Sequence, residues 1–184
     1  METIILSKFN ELLQKEDIDN STLAQTVVNE YLEKGITLAT AESCTGGLIS
    51  KKITDISGSS QMFEFGVCTY ANIAKEKLIN VSHKTLSEYG AVSYQTAMQM
   101  ANGVRTVANS TVAVSTTGIA GPNGGTKEKP VGLVYVAVST KEETKSYKIM
   151  PEDNLFLTRE EIRNFASQVA LYLALDVAKK LYRK

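Results

Sequence analysis

Histidine, tryptophan, cysteine and proline are all scarce in this chain, and each scarcity removes a class of chemistry. A single histidine, His83, in 184 residues excludes His-rich zinc sites and mechanisms built on a histidine pair. It leaves a Ser-His-Asp triad one possible base. That base lies in the polar stretch Asn80-Val81-Ser82-His83-Lys84 and reads as a surface or helix-start residue. Two cysteines, Cys44 and Cys68, are too few for the disulfide framework of a secreted domain and are expected to stay reduced in a cytoplasmic protein. Three prolines and no tryptophan give neither a Pro-rich linker nor a WD-type repeat. No charge is in excess: 20 Lys+Arg face 20 Asp+Glu, so direct nucleic-acid binding is not expected. No apolar run approaches the roughly 20 residues that cross a bilayer, so no membrane partner is expected. The first 20 residues are acidic throughout and do not read as a secretory signal.

What is present is a globular composition, 43% apolar and 22% charged, at a length that suits one domain. Residues 4–15 carry apolar positions at Ile4, Ile5, Phe9, Leu12 and Leu13 and read as a short amphipathic helix. That helix makes residues 1–19 an N-terminal arm ahead of a domain over 20–184. Asn20-Ser21-Thr22 opens a second helix that stops at Lys34-Gly35. The period then changes. Ile36 to Ala41, Met62 to Tyr70, Thr111 to Thr116, Leu133 to Ser139 and Thr144 to Met150 read as strands. Helical turns fall at Leu48 to Ile53, Ile73 to Ile79 and Lys84 to Tyr89, and Ser93 caps a longer helix to Val107. Thr158 opens a last helix with a stripe from Ile162 through Phe165, Val169 and Leu173 to Leu181. Lys179, Lys180, Arg183 and Lys184 complement its C-terminal dipole. The expected fold is α/β: a single α/β/α layered domain with a mixed, partly parallel sheet, preceded by a short N-terminal helical arm.

Four places can carry chemistry. In Thr40-Ala41-Glu42-Ser43-Cys44-Thr45-Gly46-Gly47 a strand ends, two glycines permit a sharp turn and a helix begins. Such a turn exposes a hydroxyl at the carboxyl edge of a sheet, although Ser43 or Thr45 also reads as a helix cap. Thr117-Gly118-Ile119-Ala120-Gly121-Pro122-Asn123-Gly124-Gly125 follows a buried strand, and its backbone can approach a phosphate or an oxyanion closely. It is neither a P-loop nor a dinucleotide fingerprint. Lys75 lies a turn beyond Tyr70, where desolvation lowers a lysine pKa and makes a general base, or where a surface lysine would sit. Arg159 and Arg163 share a helix face and can clamp an anion or pair with Glu160 or Glu161. Cys44, near a helix start, reads as an alternative thiolate nucleophile or as a small buried hydrophobe.

Read together, Thr40 to Gly47, Gly58 to Lys75, Gly90 to Ser93, Gly118 to Gly125 and Lys129 to Val138 resemble the CinA C-terminal domain family, the nicotinamide-nucleotide amidases. The likeness runs over about residues 20–181 in order. It implies an α/β/α sandwich in stand-alone form that hydrolyses the carboxamide of nicotinamide mononucleotide. The products are nicotinate mononucleotide and ammonia, in pyridine-nucleotide recycling. It also implies Ser43 as nucleophile with Tyr70 and Lys75 as activating partners. Substrate contacts fall at Thr45, Gly46, Gly47, Thr117, Gly118, Gly121, Arg159 and Arg163. No metal or organic cofactor is implied, the partner is a small nucleotide substrate, and a homodimer or larger symmetric assembly is expected. Lys75 would take the Ser43 proton directly or through the Tyr70 hydroxyl. Amides of Thr45-Gly46-Gly47 or Gly118 would face the oxyanion, and Arg159 or residues 121–125 the phosphate. The chain departs from the family pattern at Ala71, where serine is expected, and at Ile73, where an acidic residue is common. It also departs in the longer approach Pro151 to Phe156. The competing readings are a non-catalytic nucleotide-binding or competence- and DNA-damage-associated interaction protein, and an amidase for another small carboxamide.

Overall fold

Large and small apolar residues alternate along the central strands, and that alternation makes the two faces of the sheet different. The computed structural model describes residues 2–152 and 155–181. Its strands are β1 (Thr3–Ile4), β2 (Leu38–Glu42), β3 (Phe65–Cys68), β4 (Val112–Gly118), β5 (Val134–Ser139) and β6 (Thr144–Ile149). They form one sheet in the order β1-β6-β5-β4-β2-β3. β2 runs parallel to both β3 and β4, β5 is antiparallel to β4 and β6, and β1 is parallel to β6. The helices are α1 (Leu6–Lys15), α2 (Leu23–Lys34), α3 (Leu48–Thr54), α4 (Asn72–Ile79), α5 (His83–Tyr89), α6 (Tyr94–Ala108) and α7 (Arg159–Leu181).

With the strand period of two, Leu38, Val112, Val114, Val134 and Val136 point to the face covered by α1, α2, α3 and α7. Ala39, Ala41, Ala113 and Ala137 point the other way, towards α6. Methyl groups on that face let α6 settle closely, with Ala97 and Ala101 on its own contact side. The result is the expected three-layered α/β sandwich on a mixed sheet.

α7 is buried around most of its circumference, beyond the single stripe read from sequence, because α1, α2 and the sheet all pack on it. The Phe9 ring of α1 lies 5.7 Å from the rings of both Phe165 and Tyr172, and the Tyr172 hydroxyl donates to Glu16 at 2.6 Å. The first helix starts at Leu6 and not at Ile4, because Thr3 and Ile4 pair in register with Lys148 and Ile149 at the sheet edge. The strand read from Met62 is shorter at both ends. Met62 closes a 3-10 turn, and β3 ends at Cys68 before the chain turns into α4. Asp153 and Asn154, and Arg183 and Lys184, lie outside the described residues. Among the described residues no helix is long and apolar enough to cross a membrane.

α4 ends against α6 at Gly103. A Cβ there would lie 1.9 Å from the Ile79 carbonyl oxygen, backbone that cannot swing aside. Alanine is about 1 kcal/mol the better helix former, but overpacking of this kind costs about 1–3 kcal/mol. Gly103→Ala is therefore expected to lower Tm, by up to about 8 °C, in a calorimetric or circular-dichroism melt. A rise in Tm, the outcome propensity alone dictates, would show that the contact is not held.

Candidate active site

The parallel strands β2, β3 and β4 all end on one edge of the sheet. β2 hands over to Ser43, whose N–H donates to the Thr116 carbonyl at 3.0 Å and so extends the ladder by one residue. Gly46 and Gly47, at φ of 61° and 91°, then turn the chain into α3. On the other side of β2, the Thr69 N–H donates to the Glu42 carbonyl at 2.8 Å before the chain enters α4. Lys75 is on the first turn of α4 and runs back under that junction, with no exposed surface. Its Nζ lies 2.6 Å from the Thr69 carbonyl, 3.3 Å from the Tyr70 carbonyl and 3.2 Å from Ser43 Oγ. Burial holds the Lys75 pKa below the ordinary lysine range, against a smaller upward pull from the Cys44 thiol.

Ser43 and Lys75 open into a cavity of about 270 Å³, near the lower limit for ligand sites of about 300 Å³. The Gly-rich loop after β4 forms the opposite wall, and Arg159 stands at the mouth. The Arg159 guanidinium donates to the Gly121 carbonyl at 2.7 Å and to the Tyr70 hydroxyl at 3.4 Å, and so spans the two walls. The lining includes the Arg159 guanidinium and the Lys75 amine and, among the described residues, no carboxylate. Such a cavity favours a ligand with an anionic group and one bond that a hydroxyl nucleophile can attack.

Residues 20–178 match the model of the CinA C-terminal domain. The chain belongs to the CinA C-terminal domain family. This CinA-family chain is 51% identical over 146 residues to a protein of Caldanaerobacter subterraneus subsp. tengcongensis that carries a competence-damage inducible name. The match covers 79% of the chain and 34% of the relative. It is 48% identical over 154 residues to a CinA-like protein of Geobacter sulfurreducens, with 83% and 36% covered. The chain therefore spans about a third of the length of the curated relatives it matches. Among solved structures it is similar to the competence/damage inducible protein CihA of Agrobacterium tumefaciens. That likeness has a TM-score of 0.80 at 41% identity and covers 85% of this chain and 95% of the other.

The structure brings together Ser43, Tyr70, Lys75, Thr117, Gly118, Gly121 and Arg159 around one cavity. It does not bring Thr45, Gly46, Gly47 or Arg163 into the lining. Thr45 is fully buried with its hydroxyl 2.7 Å from Thr116 Oγ1, and the Gly46 N–H is donated to the Ser43 carbonyl. Arg163 donates through Nε and Nη2 to the Thr45 carbonyl at 3.2 and 2.7 Å, so it braces the turn from behind. Neither arginine is paired with Glu160 or Glu161, because Glu161 accepts from the N–H and hydroxyl of Thr158 in a capping box. Tyr70 is 65% exposed, and its hydroxyl meets Arg159 rather than Ser43 or Lys75. A proton relay through that hydroxyl is not built here. Thr117 donates to the Ala91 carbonyl at 2.7 Å, tying β4 to the segment before α6. His83 is at the surface beside Glu76, as read from sequence.

Sequence reasoning assigned no role to Glu42, although it stands next to Ser43. Its carboxylate is fully buried and accepts from the Ile49 and Ser50 amides at 3.1 and 2.8 Å and from Ser50 Oγ at 2.7 Å. The available signal was a strand-end acid six residues before the first turn of a helix that has no side-chain cap of its own. The thiolate alternative at Cys44 fails on electrostatics. Burial, with Glu42 adding to it, pushes the thiol up to about 12, against weaker pulls from Lys75 and Arg163. Iodoacetamide at mildly alkaline pH is thus expected to label exposed Cys68 in the folded protein and Cys44 only after unfolding, as read by peptide mass spectrometry. Labelling of native Cys44 as fast as Cys68 would restore the thiolate.

Proposed function

We propose that this chain hydrolyses the carboxamide of nicotinamide mononucleotide to nicotinate mononucleotide and ammonia, with Ser43 as nucleophile and Lys75 as its base. The observation that carries the reading is the buried Lys75 amine 3.2 Å from Ser43 Oγ at the floor of a cavity with Arg159 at its mouth. A neutral amine has two N–H donors and one lone pair. The carbonyls of Thr69 and Tyr70 accept the two N–H groups, which leaves the lone pair for the Ser43 hydroxyl proton. Ser43 Oγ bonds to the amide carbon as its proton passes to Lys75. The tetrahedral oxyanion then collapses, the C–N bond breaks, and Lys75 returns the proton to the leaving ammonia. Water activated by the same amine hydrolyses the acyl-serine. The Ser43 and Gly46 amides are already donated within the protein. Cys44 follows Ser43 in the cavity wall, and its main-chain N–H is the donor proposed for the oxyanion. The substrate phosphate meets Arg159, whose guanidinium exchanges its neutral acceptors for a charged one.

The test is ammonia release from nicotinamide mononucleotide. Ser43→Ala abolishes turnover, and Lys75→Ala lowers kcat by about 10²–10⁴-fold. Because the active form of Lys75 is the neutral one and burial lowers its pKa, kcat/KM rises with pH. Its midpoint lies below the ordinary lysine value of about 10.4. Full rates in both variants would refute the scheme, and nucleotide uptake without ammonia release would identify a binding protein instead.

Arg159 carries a separate expectation. Arg159→Ala raises KM for the nucleotide by about 10–100-fold, the worth of a charge-assisted contact. The KM ratio between nicotinamide riboside, which lacks the phosphate, and the mononucleotide then collapses towards one. An unchanged ratio would move the phosphate to the Gly-rich loop.

A further inference from the structure

Glu42 contributes to both halves of the site through different atoms. Its carboxylate closes the chain from residue 42 to residue 50 into a tied loop, with three donors from Ile49 and Ser50 on its two oxygens. Ser43 is the first residue of that loop, and the glycine turn that follows it has no side-chain cap. The Glu42 main-chain carbonyl accepts the Thr69 N–H, and the Thr69 carbonyl makes the shortest contact to Lys75 Nζ, 2.6 Å. The Ser50 hydroxyl has one hydrogen, which goes to the carboxylate. Thr40, 2.8 Å away, must therefore donate to Ser50, and a chain of hydrogen bonds runs Thr40 to Ser50 to Glu42. Gly66 on β3 leaves room for it: a Cβ there would sit 2.7 Å from Ser50 Oγ and 2.9 Å from Thr40 Oγ1.

The chemistry of the donors demands a carboxylate. Every group facing it is a donor, so a glutamine would turn its NH2 against an amide N–H or the Ser50 hydroxyl. An aspartate is one methylene too short to reach past the turn. The charge is also placed at the first turn of α3, where the helix dipole favours it.

We propose that Glu42 is a positioning residue for the Ser43–Lys75 pair, fixing the nucleophile through its carboxylate and the base through the strand junction it shares with Thr69. The proposal rests on the reading of Ser43 as a nucleophile activated by Lys75, and its test is chosen to separate it from the choice of substrate. The probe is a fluorophosphonate reporter: Ser43 Oγ bonds to phosphorus, fluoride leaves, and the serine proton passes to Lys75.

The wild-type chain is labelled at Ser43, at a rate that rises with pH. Glu42→Gln lowers the labelling rate constant at least tenfold when measured well below that variant's own Tm. It lowers kcat on nicotinamide mononucleotide by a similar factor and leaves KM within about twofold. Ser50→Ala, which removes one donor of three, lowers both two- to fivefold. A carboxylate that serves stability alone would lower Tm and leave the labelling rate of the folded protein unchanged, and that result overturns the proposal. Where Glu42→Gln does not fold, Ser50→Ala decides in the same way. A wild-type chain labelled at Ser43 that releases no ammonia refutes the substrate while the labelling series still judges Glu42. A wild-type Ser43 that is not labelled at all overturns both readings, since there is then no nucleophile to position.

Discussion

The position of β2 between two parallel neighbours is the constraint on which the site depends. From β2 the chain crosses through α3 to β3 on one side, and from β3 through α4, α5 and α6 to β4 on the other. The loops that leave β2 and β4 at the same edge therefore diverge, and a crevice must open between them. Ser43 lies where β2 runs out, and Thr117 and Gly118 lie where β4 does. The strands β5 and β6 add width to the sheet and give α7 a surface to lie on; β5 starts and β6 ends at that same edge, and the chain leaving β6 leads on to α7. α7 in turn delivers Arg159 to the mouth of the crevice and Arg163 to the back of the Thr45 turn from one helix, four residues apart.

Within that crevice the decisive term is desolvation. A lysine with no exposed surface loses its hydration, and two main-chain carbonyls replace only part of it. The protein responds through protonation state, because burial favours the neutral amine. Under the proposed reaction the same two carbonyls would also fix which way the remaining lone pair points, so that stabilisation and activation would be one arrangement. With a single, exposed histidine the proposed nucleophile has no imidazole beside it, and in that reading a buried lysine serves instead at the expense of some stability.

What could be read from sequence followed what local physics determines. The period of two in Thr111 to Thr116 and the stripe from Ile162 to Leu173 mark β4 and α7, because burial on a face leaves a repeat in the residues. The Gly-rich loop, Ser43 and Lys75 were legible from their spacing and from a family resemblance. The remainder depends on contacts distant in sequence. Thr3 and Ile4 are a strand only because β6 offers them an edge 145 residues later. The direction of Arg163 is set by the Thr45 carbonyl 118 residues away, so helical spacing put it beside Arg159 without revealing that it turns to a different partner. Tyr70 lines the cavity, but its ring is largely exposed and its hydroxyl meets Arg159, a partner 89 residues away. Glu42 was passed over because an acid between strand and turn looks solvated until the helix it caps is folded beneath it.

The two departures from the family pattern also find their physical place at α4. Ala71 is the N-cap of that helix and Ile73 is on its exposed face, 54% accessible. A serine at 71 would have capped the helix, and its loss costs about 1 kcal/mol of local stability. The cap that matters to the site is main-chain: the Lys75 N–H donates to the Ala71 carbonyl at 3.2 Å, and alanine supplies that carbonyl as well as serine does. Neither side chain reaches into the cavity, whose lining includes neither residue. The substitutions therefore weaken the start of α4 without moving the lysine. What keeps Lys75 under Ser43 is the grip of the Thr69 carbonyl, and that carbonyl is held in turn by the pairing of Thr69 with Glu42 at the end of the central strand.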